Sequence, residues 1–202
     1  MKRHIQRIAL AAFAVVCVYA WGIATDSQAL HDSLLRLHVV GASDSAEDQN
    51  VKLQVRDAVL ASLEEGLQDL TDVDAAVEYV EGMIPKVEAA ANRVLAAAGF
   101  EDTVAVSVTE EAFPTREYDT FSLPAGVYKA LRVVIGEGEG RNWWCVVFPK
   151  LCMGTREEFV ETANVAGLDE DLTETLEGEY EIRFWLLEKL GELKNSLFAS
   201  SE

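Results

Sequence analysis

The residues best equipped for chemistry are few. The chain carries three cysteines and three histidines, of which Cys17 and His4 fall in the first 29 residues. That leaves Cys145, Cys152, His31 and His38 in the body of the chain. A cysteine nucleophile needs a base beside it to hold the thiolate. His38 and Cys145 each sit in a strand-like run and could meet across a sheet. Against this, Cys145 stands between Trp144 and Val146, where a cysteine ordinarily acts as a small buried hydrophobe. A zinc centre would use every remaining candidate, no paired-cysteine metal spacing is present, and neither GxSxG nor HExxH occurs. These residues therefore predict no catalytic group, no metal and no cofactor.

Outside the cytosol the two cysteines have another use. Cys145 and Cys152 flank Pro149, and a turn at Phe148–Pro149–Lys150 would bring their Cα atoms within the roughly 4.4–6.8 Å of a disulfide. An extended strand would hold them far apart. A bridge and two buried thiols both fit the sequence.

Oxygen ligands cluster in GASDSAEDQ at 41–49, where Asp44, Glu47 and Asp48 precede Asn50. No cation-loop spacing links them. The pattern suits the start of a helix instead, with Asp44–Glu47 or Ser45–Asp48 as a capping box. GEGEG at 136–140 has the glycines of a phosphate loop, but neither a Walker lysine nor a following helix, and Glu137 and Glu139 would repel phosphate. It reads as a turn.

The elements around these segments follow from periodicity. LLRLHVV at 34–40 sets Leu35, Leu37 and Val39 against Leu34, Arg36, His38 and Val40, a first strand. A helix over about 46–69 carries Val51, Val55, Val59 and Leu63 at four-residue intervals. A second over about 72–98 holds Val73, Val77, Val80, Ile84, Val87, Ala91, Val94 and Ala98 in one stripe. Gly82 and Pro85 predict a kink or a break there, and Gly99 its end. TVAVSVTE puts Val104, Val106 and Val108 on one face, with Thr103, Ser107 and Thr109 on a wet one. Runs at 127–136 and 142–148 flank GEGEG and predict a hairpin. In the second run Trp143, Cys145 and Val147 share one face and Trp144, Val146 and Phe148 the other, the mark of a central strand. FPTREYDTFSLPAG is a connection. TREEFVETA suits a short helix, AGLDEDLTETLEGE an acidic linker, and EYEIRFWLLEKLGELKNSLF a strand running into an amphipathic helix, or a helix throughout, docked on the body.

The predicted fold is a single α+β domain. It has about four mostly antiparallel strands, at 34–40, 103–109, 127–136 and 142–148, covered on one face by two long helices. Three segments divide the chain: 1–29 as signal peptide or anchor helix, 30–153 as the α+β domain, and 154–202 as acidic linker and C-terminal strand or helix.

Charge and the N-terminus bound the partners. The formal net charge of −18 excludes nucleic acid and anionic lipid as natural ligands. Lys2, Arg3 and Arg7 precede an apolar run at 8–24, the shape of an export signal. Small residues stand at Gly22 and Ala24 and again at Ser27 and Ala29, so cleavage fits either register. The run is also long enough to stay as an anchor, and membrane contact is expected only there, in an uncleaved chain.

The segments LRLHVVGASDSAEDQNVKLQVRDAVL (35–60), FPTREY (113–118), LPAGVY (123–128) and GEGEGRNWWCVVFPKLC (136–152) together resemble the stage II sporulation protein R family of endospore-forming bacteria. A weaker likeness continues at EIRF (181–184). The chain departs from the family at Ala42, where an asparagine is usual, and at Lys150, often a proline. The resemblance implies a signalling protein rather than an enzyme. Such proteins are made in the forespore and exported into the space between forespore and mother cell. There they trigger a membrane-embedded aspartic protease of the mother cell that processes the sigma E precursor. For the contact surface the residues offer Asp44 and Asp48 in the polar turn, and Arg141 and Asn142 as a rim beside Trp143 and Trp144. Each also has a bland use, capping for the turn and core for the tryptophans. The competing classes are an exported cysteine hydrolase and a wall-binding module.

Overall fold

The structure, a computed structural model, describes residues 2–118, 121–149, 176 and 181–199. Helix α1 spans Lys2–Ser33, strand β1 Leu35–Val40, α2 Ala46–Leu67 and α3 Val73–Ala97. Strand β2 covers Val104–Phe113, β3 Arg116–Glu117, β4 Ser122–Leu123, β5 Gly126–Ile135 and β6 Asn142–Phe148, and helix α4 covers Glu181–Ala199. Four strands form one mixed sheet in the order β2-β5-β1-β6, and β3 and β4 make a small hairpin of their own. The expected α+β fold is present. TREEFVETA and the acidic linker lie outside the described residues.

Strand β1 is the axis. Every one of its residues is buried. It pairs in parallel with β5, Leu35 opposite Lys129 through Val40 opposite Val134, and antiparallel with β6. The expected β5–β6 hairpin does not form, because β1 lies between the two strands. Residues 136–141 carry the chain across the end of β1 instead. Six residues reach about 20 Å when extended, enough to cross two inter-strand gaps of about 4.8 Å. Gly136 and Gly138 take left-handed φ values of 57° and 70° there, which glycine adopts without strain.

One face of the sheet carries Leu35, Leu37, Val39, Leu131, Val133, Ile135, Cys145 and Val147. Packed on them are Val51, Val55, Val59 and Leu63 of α2 and Ala76, Val80, Val87, Ala91 and Leu95 of α3. Phe148 joins this side, contrary to strict alternation. The register slips between Leu35 and Arg36, so that Leu35 faces Phe148 while Arg36 faces Val146. That irregularity turns both Val147 and Phe148 toward the helices.

Ser45 caps α2 by accepting from the Asp48 amide at 3.0 Å, and Asp72 caps α3 by accepting from Ala75 at 2.9 Å. Helix α3 is continuous through Pro85, not split. Pro85 and Glu81, whose carbonyl loses its partner, are both exposed to water, while Val80 and Val87 on either side are clamped in the core. At its end Phe100 donates to the Leu95 carbonyl and Gly99 to that of Ala96, a Schellman closure. Strand β2 is protected at its open edge by α3: Asn92 Oδ1 accepts from Val104 and Glu88 Oε1 from Val106, at 2.9 and 3.1 Å.

The other sheet face carries a second core of Leu30, Leu34, Phe113, Tyr128, Ala130, Val146 and Leu187. The last turns of α1 and one face of α4 cover it. Helix α4 fits closely because Gly191 presents no side chain; a Cβ there would lie 1.5 Å from the Ala125 carbonyl oxygen. Asn195 also donates to the Phe113 carbonyl at 2.9 Å. The N-terminal part of α1 stands apart, with Leu10, Phe13, Val18 and Trp21 exposed. No helix among the described residues is long and apolar enough to cross a membrane; several side chains of the 8–24 run are outside that description.

Because Leu37 is fully buried on the central strand, Leu37→Ala should cost about 2–5 kcal/mol. Urea unfolding would show it as a lower midpoint with an unchanged slope.

Candidate functional site

Two arrangements hold the polar residues. The first lies at one end of β1, where the 41–49 turn meets the 136–141 crossing. Gly140 donates to the Gly41 carbonyl at 2.8 Å, and the Arg141 amide donates to Asp44 Oδ1 at 2.8 Å. The Arg141 side chain reaches Asp44 Oδ2 at 3.6 Å. Beneath the loop Lys52 donates to the Arg141 carbonyl at 2.8 Å and to Gln49 Oε1 at 2.6 Å, while Gln49 Nε2 donates to the Ser43 carbonyl at 2.8 Å. Ser43 donates to Asp48 and accepts from the Ser45 amide, so Asp48 braces the turn rather than returning to the Ser45 amide as a capping box would. These contacts form a clasp joining two segments 90-odd residues apart in the chain. Burial lowers the Lys52 ammonium pKa, Asp44 opposes the shift and Arg141 adds to it.

Trp143 follows the clasp on the helix side of the sheet. It is 36 % exposed, and the Arg56 guanidinium of α2 lies over its ring at 4.5 Å. Asn142 pairs with Val40 at the end of the ladder and is exposed. Asp44, Arg141 and Trp143 therefore lie along one side of the strand entry, while the exposed Asn142, on Trp144's side by alternation, sits at its rim. Trp144 points to the opposite face.

The second arrangement is the buried polar row of β1. Arg36 is wholly enclosed, its guanidinium 4.1 Å from the Phe113 ring centroid and 4.8 Å from that of Tyr128. Its Nη2 donates to the Tyr118 hydroxyl at 2.9 Å, while Nε and Nη1 have no hydrogen-bond partner among the described residues. His38 donates from Nδ1 to Glu111 at 2.9 Å, Glu111 also receives Arg132 at 3.0 Å, and the imidazole stacks on Trp144 at 3.8 Å. Phe113 meets Trp144 edge-on at 4.8 Å. Trp144 is thus a half-buried structural ring.

His38 and Cys145 do not meet. His38 is opposite Trp144 and Cys145 opposite Leu37, which places them on different sheet faces. Cys145 is disulfide-bonded and Cys17 is free; Cys152 lies outside the described residues. A thiolate at Cys145 is therefore not on offer. His31 is 2 % exposed under Gly126, edge-on to Tyr128 at 4.5 Å. Burial lowers its pKa to about 4; Lys194 and Arg36 contribute in the same direction and Asp32 against. Burial likewise pushes the Tyr128 phenol above its usual range, and its hydroxyl donates to the Pro124 carbonyl at 2.7 Å. No group of three or more His, Cys, Asp or Glu positioned for a metal exists among the described residues.

Sequence reasoning passed over Lys52, Arg56, Glu111 and Arg36. Lysine and arginine default to the surface, so the only signal was that Arg36 and Lys52 stand beside strictly apolar stripes.

Together these features describe a small α+β domain with a rigid polar clasp at one end and no assembled catalytic centre among the described residues. The family model described as Stage II sporulation protein R (spore_II_R) matches residues 31–158, and the chain belongs to that family. A curated relative is stage II sporulation protein R of Bacillus subtilis (strain 168), 35% identical over 121 residues. The match takes in 60% of this chain and 54% of the relative, so the chain spans about half the relative's length. No solved structure matches. The chain is a sporulation protein.

Two outcomes are expected. Trp144→Ala should cost about 3 kcal/mol, and Trp143→Ala less than about 1 kcal/mol, by thermal or urea melting. Second, the folded pKa of His31 lies below its unfolded value of 6.5. The unfolded chain therefore binds the extra proton, and stability falls as pH drops from 6.5 toward about 4, by on the order of 3 kcal/mol. His31→Gln should remove that part of the slope.

Proposed function

We propose that this chain is an exported sporulation signal that activates a membrane-embedded aspartic protease of the mother cell, leading to processing of the sigma E precursor. Family membership is the observation that carries this reading. The basic start and apolar run at 8–24 support export to the space between forespore and mother cell. The separation of His38 from a disulfide-bonded Cys145 argues against the cysteine-hydrolase alternative.

The contact surface we assign to the clasp: Asp44, Arg141, Asn142 and Trp143, with Arg56 behind the tryptophan. Asp48 braces the turn of this surface through Ser43, and Trp144 belongs to the core behind the sheet. A half-exposed tryptophan beside charged groups, on a backbone pinned by hydrogen bonds, gives an interface anchor little conformational entropy to lose. The protein then acts by binding the active arrangement of the protease more tightly than the inactive one. Equal affinity for the two would sink that mechanism.

The test is reconstitution. The sigma E precursor and the protease are co-produced in a non-sporulating host, this chain is added in exported form, and precursor shortening is followed by gel. Shortening that requires the chain and its signal segment is expected. Trp143→Ala should abolish it while leaving the melting temperature nearly unchanged, and wild-type signalling by that variant would remove the clasp from consideration.

A further inference from the structure

The two small-residue registers at the end of the apolar run are not equivalent once the fold is seen. Leu10, Phe13, Val15, Val18 and Trp21 are each 67–75% exposed and pack on nothing in the domain. Nine residues later the situation reverses: Leu30 and Leu34 are fully buried in the second core, and His31 is 2 % exposed. Between them, Gln28 is already tied to the body. Its Nε2 donates to Asp32 at 2.7 Å, and its Oε1 accepts from Lys194 of α4 at 3.0 Å.

Resting on the exported reading above, we propose that the chain is cut after Ala24, so that the mature protein begins at Thr25, and that the Ser27–Ala29 register is not the one used. A cut after Ala29 would remove Gln28 and place a new α-ammonium directly on Leu30, whose side chain is fully buried in the intact chain. An amine of pKa about 7.7–8.0 is charged at neutral pH, and burying it is costly. Two cationic groups, Lys194 and Arg36, already act on the adjacent His31, with Asp32 as the opposing charge. The helical remnant, residues 30–33, would be a single turn, too short to hold itself. A cut after Ala24 leaves 25–33 intact with its Gln28–Lys194 tie, and removes the basic start and the run that carries the exposed Leu10, Phe13, Val15, Val18 and Trp21. Residues 25–29 are therefore part of the folded protein, not of the discarded signal.

The full chain is produced in a secreting Gram-positive host, and the released and membrane fractions are analysed by intact mass and N-terminal sequencing. A released chain beginning at Thr25 is expected. A chain beginning at Leu30, or one left uncut, would overturn the proposal. A second variant, Ala24→Leu, puts a bulky residue at the proposed cut and leaves Ser27 and Ala29 untouched; release of folded protein should fall by about tenfold or more. Undiminished release of a Leu30-starting chain with the wild-type melting temperature would also refute it. A Thr25-starting chain that fails to shorten the precursor would leave this inference standing and defeat the signalling one.

Discussion

Strand β1 must satisfy two ladders and two cores with six residues, and the rest of the structure is arranged around that demand. Its parallel pairing with β5 and antiparallel pairing with β6 use both edges. Its alternation then sends Leu35, Leu37 and Val39 into the helix-covered core and Arg36 and His38 into the other. Two polar side chains on a central strand can be buried only if the opposite face supplies partners. Phe113 and Tyr128 supply ring faces for the Arg36 cation, Tyr118 an acceptor, and Glu111 a carboxylate for His38. The FPTREY segment is therefore more than a connection. With Phe113 and Tyr118 it furnishes two of the groups that make the β1 pattern tolerable.

The same strand explains the clasp. Because β5 and β6 flank β1 instead of pairing, their link must pass over the end of β1, where the chain has just turned into α2. The crossing and the turn are forced together, and Lys52 fills the space between them as a buried donor to two acceptors. Lys52 remains useful there because its ammonium gives the Arg141 carbonyl, which also accepts from the Gly41 amide, a second and charge-assisted donor. The exposed ion pair of Asp44 with Arg141 adds little energy by itself. Its worth is geometric, since Asp44 also accepts from the Arg141 amide and so fixes the strand entry that presents Trp143.

The second core joins chain ends. Residues Leu30 to Leu34 from the end of α1 and Leu187 from α4 meet over Tyr128 and Ala130. His31 is neutral at physiological pH in this setting, and its burial couples the N-terminal segment to the stability of the whole domain. Among the described residues the buried cationic side chains Arg36 and Lys52 are each held by oxygen partners, and Glu111 is the mostly buried carboxylate that holds His38.

Much of the fold was legible without coordinates. Both long helices, the polar start of the first at 44–48, the stop at Gly99 and the four main strands follow from period, cap and turn chemistry, which act over a few residues. What local pattern cannot carry is which strand lies beside which. GEGEG with β-rich flanks is a hairpin by every local rule, yet β1 intervenes, because pairing on both sides satisfies both backbone edges of this fully buried strand. The continuous α3 is decided the same way, by core contacts on both sides of an exposed Pro85. The slip at Leu35–Arg36, which moves Phe148 across the sheet, has no local signature at all. The candidate residues Asp44, Arg141, Asn142 and Trp143 were visible in the sequence as two separate patches. Only the crossing over β1 brought the two patches together through Asp44 and Arg141, and only the pairing of β6 beside β1 set His38 and Cys145 on opposite faces.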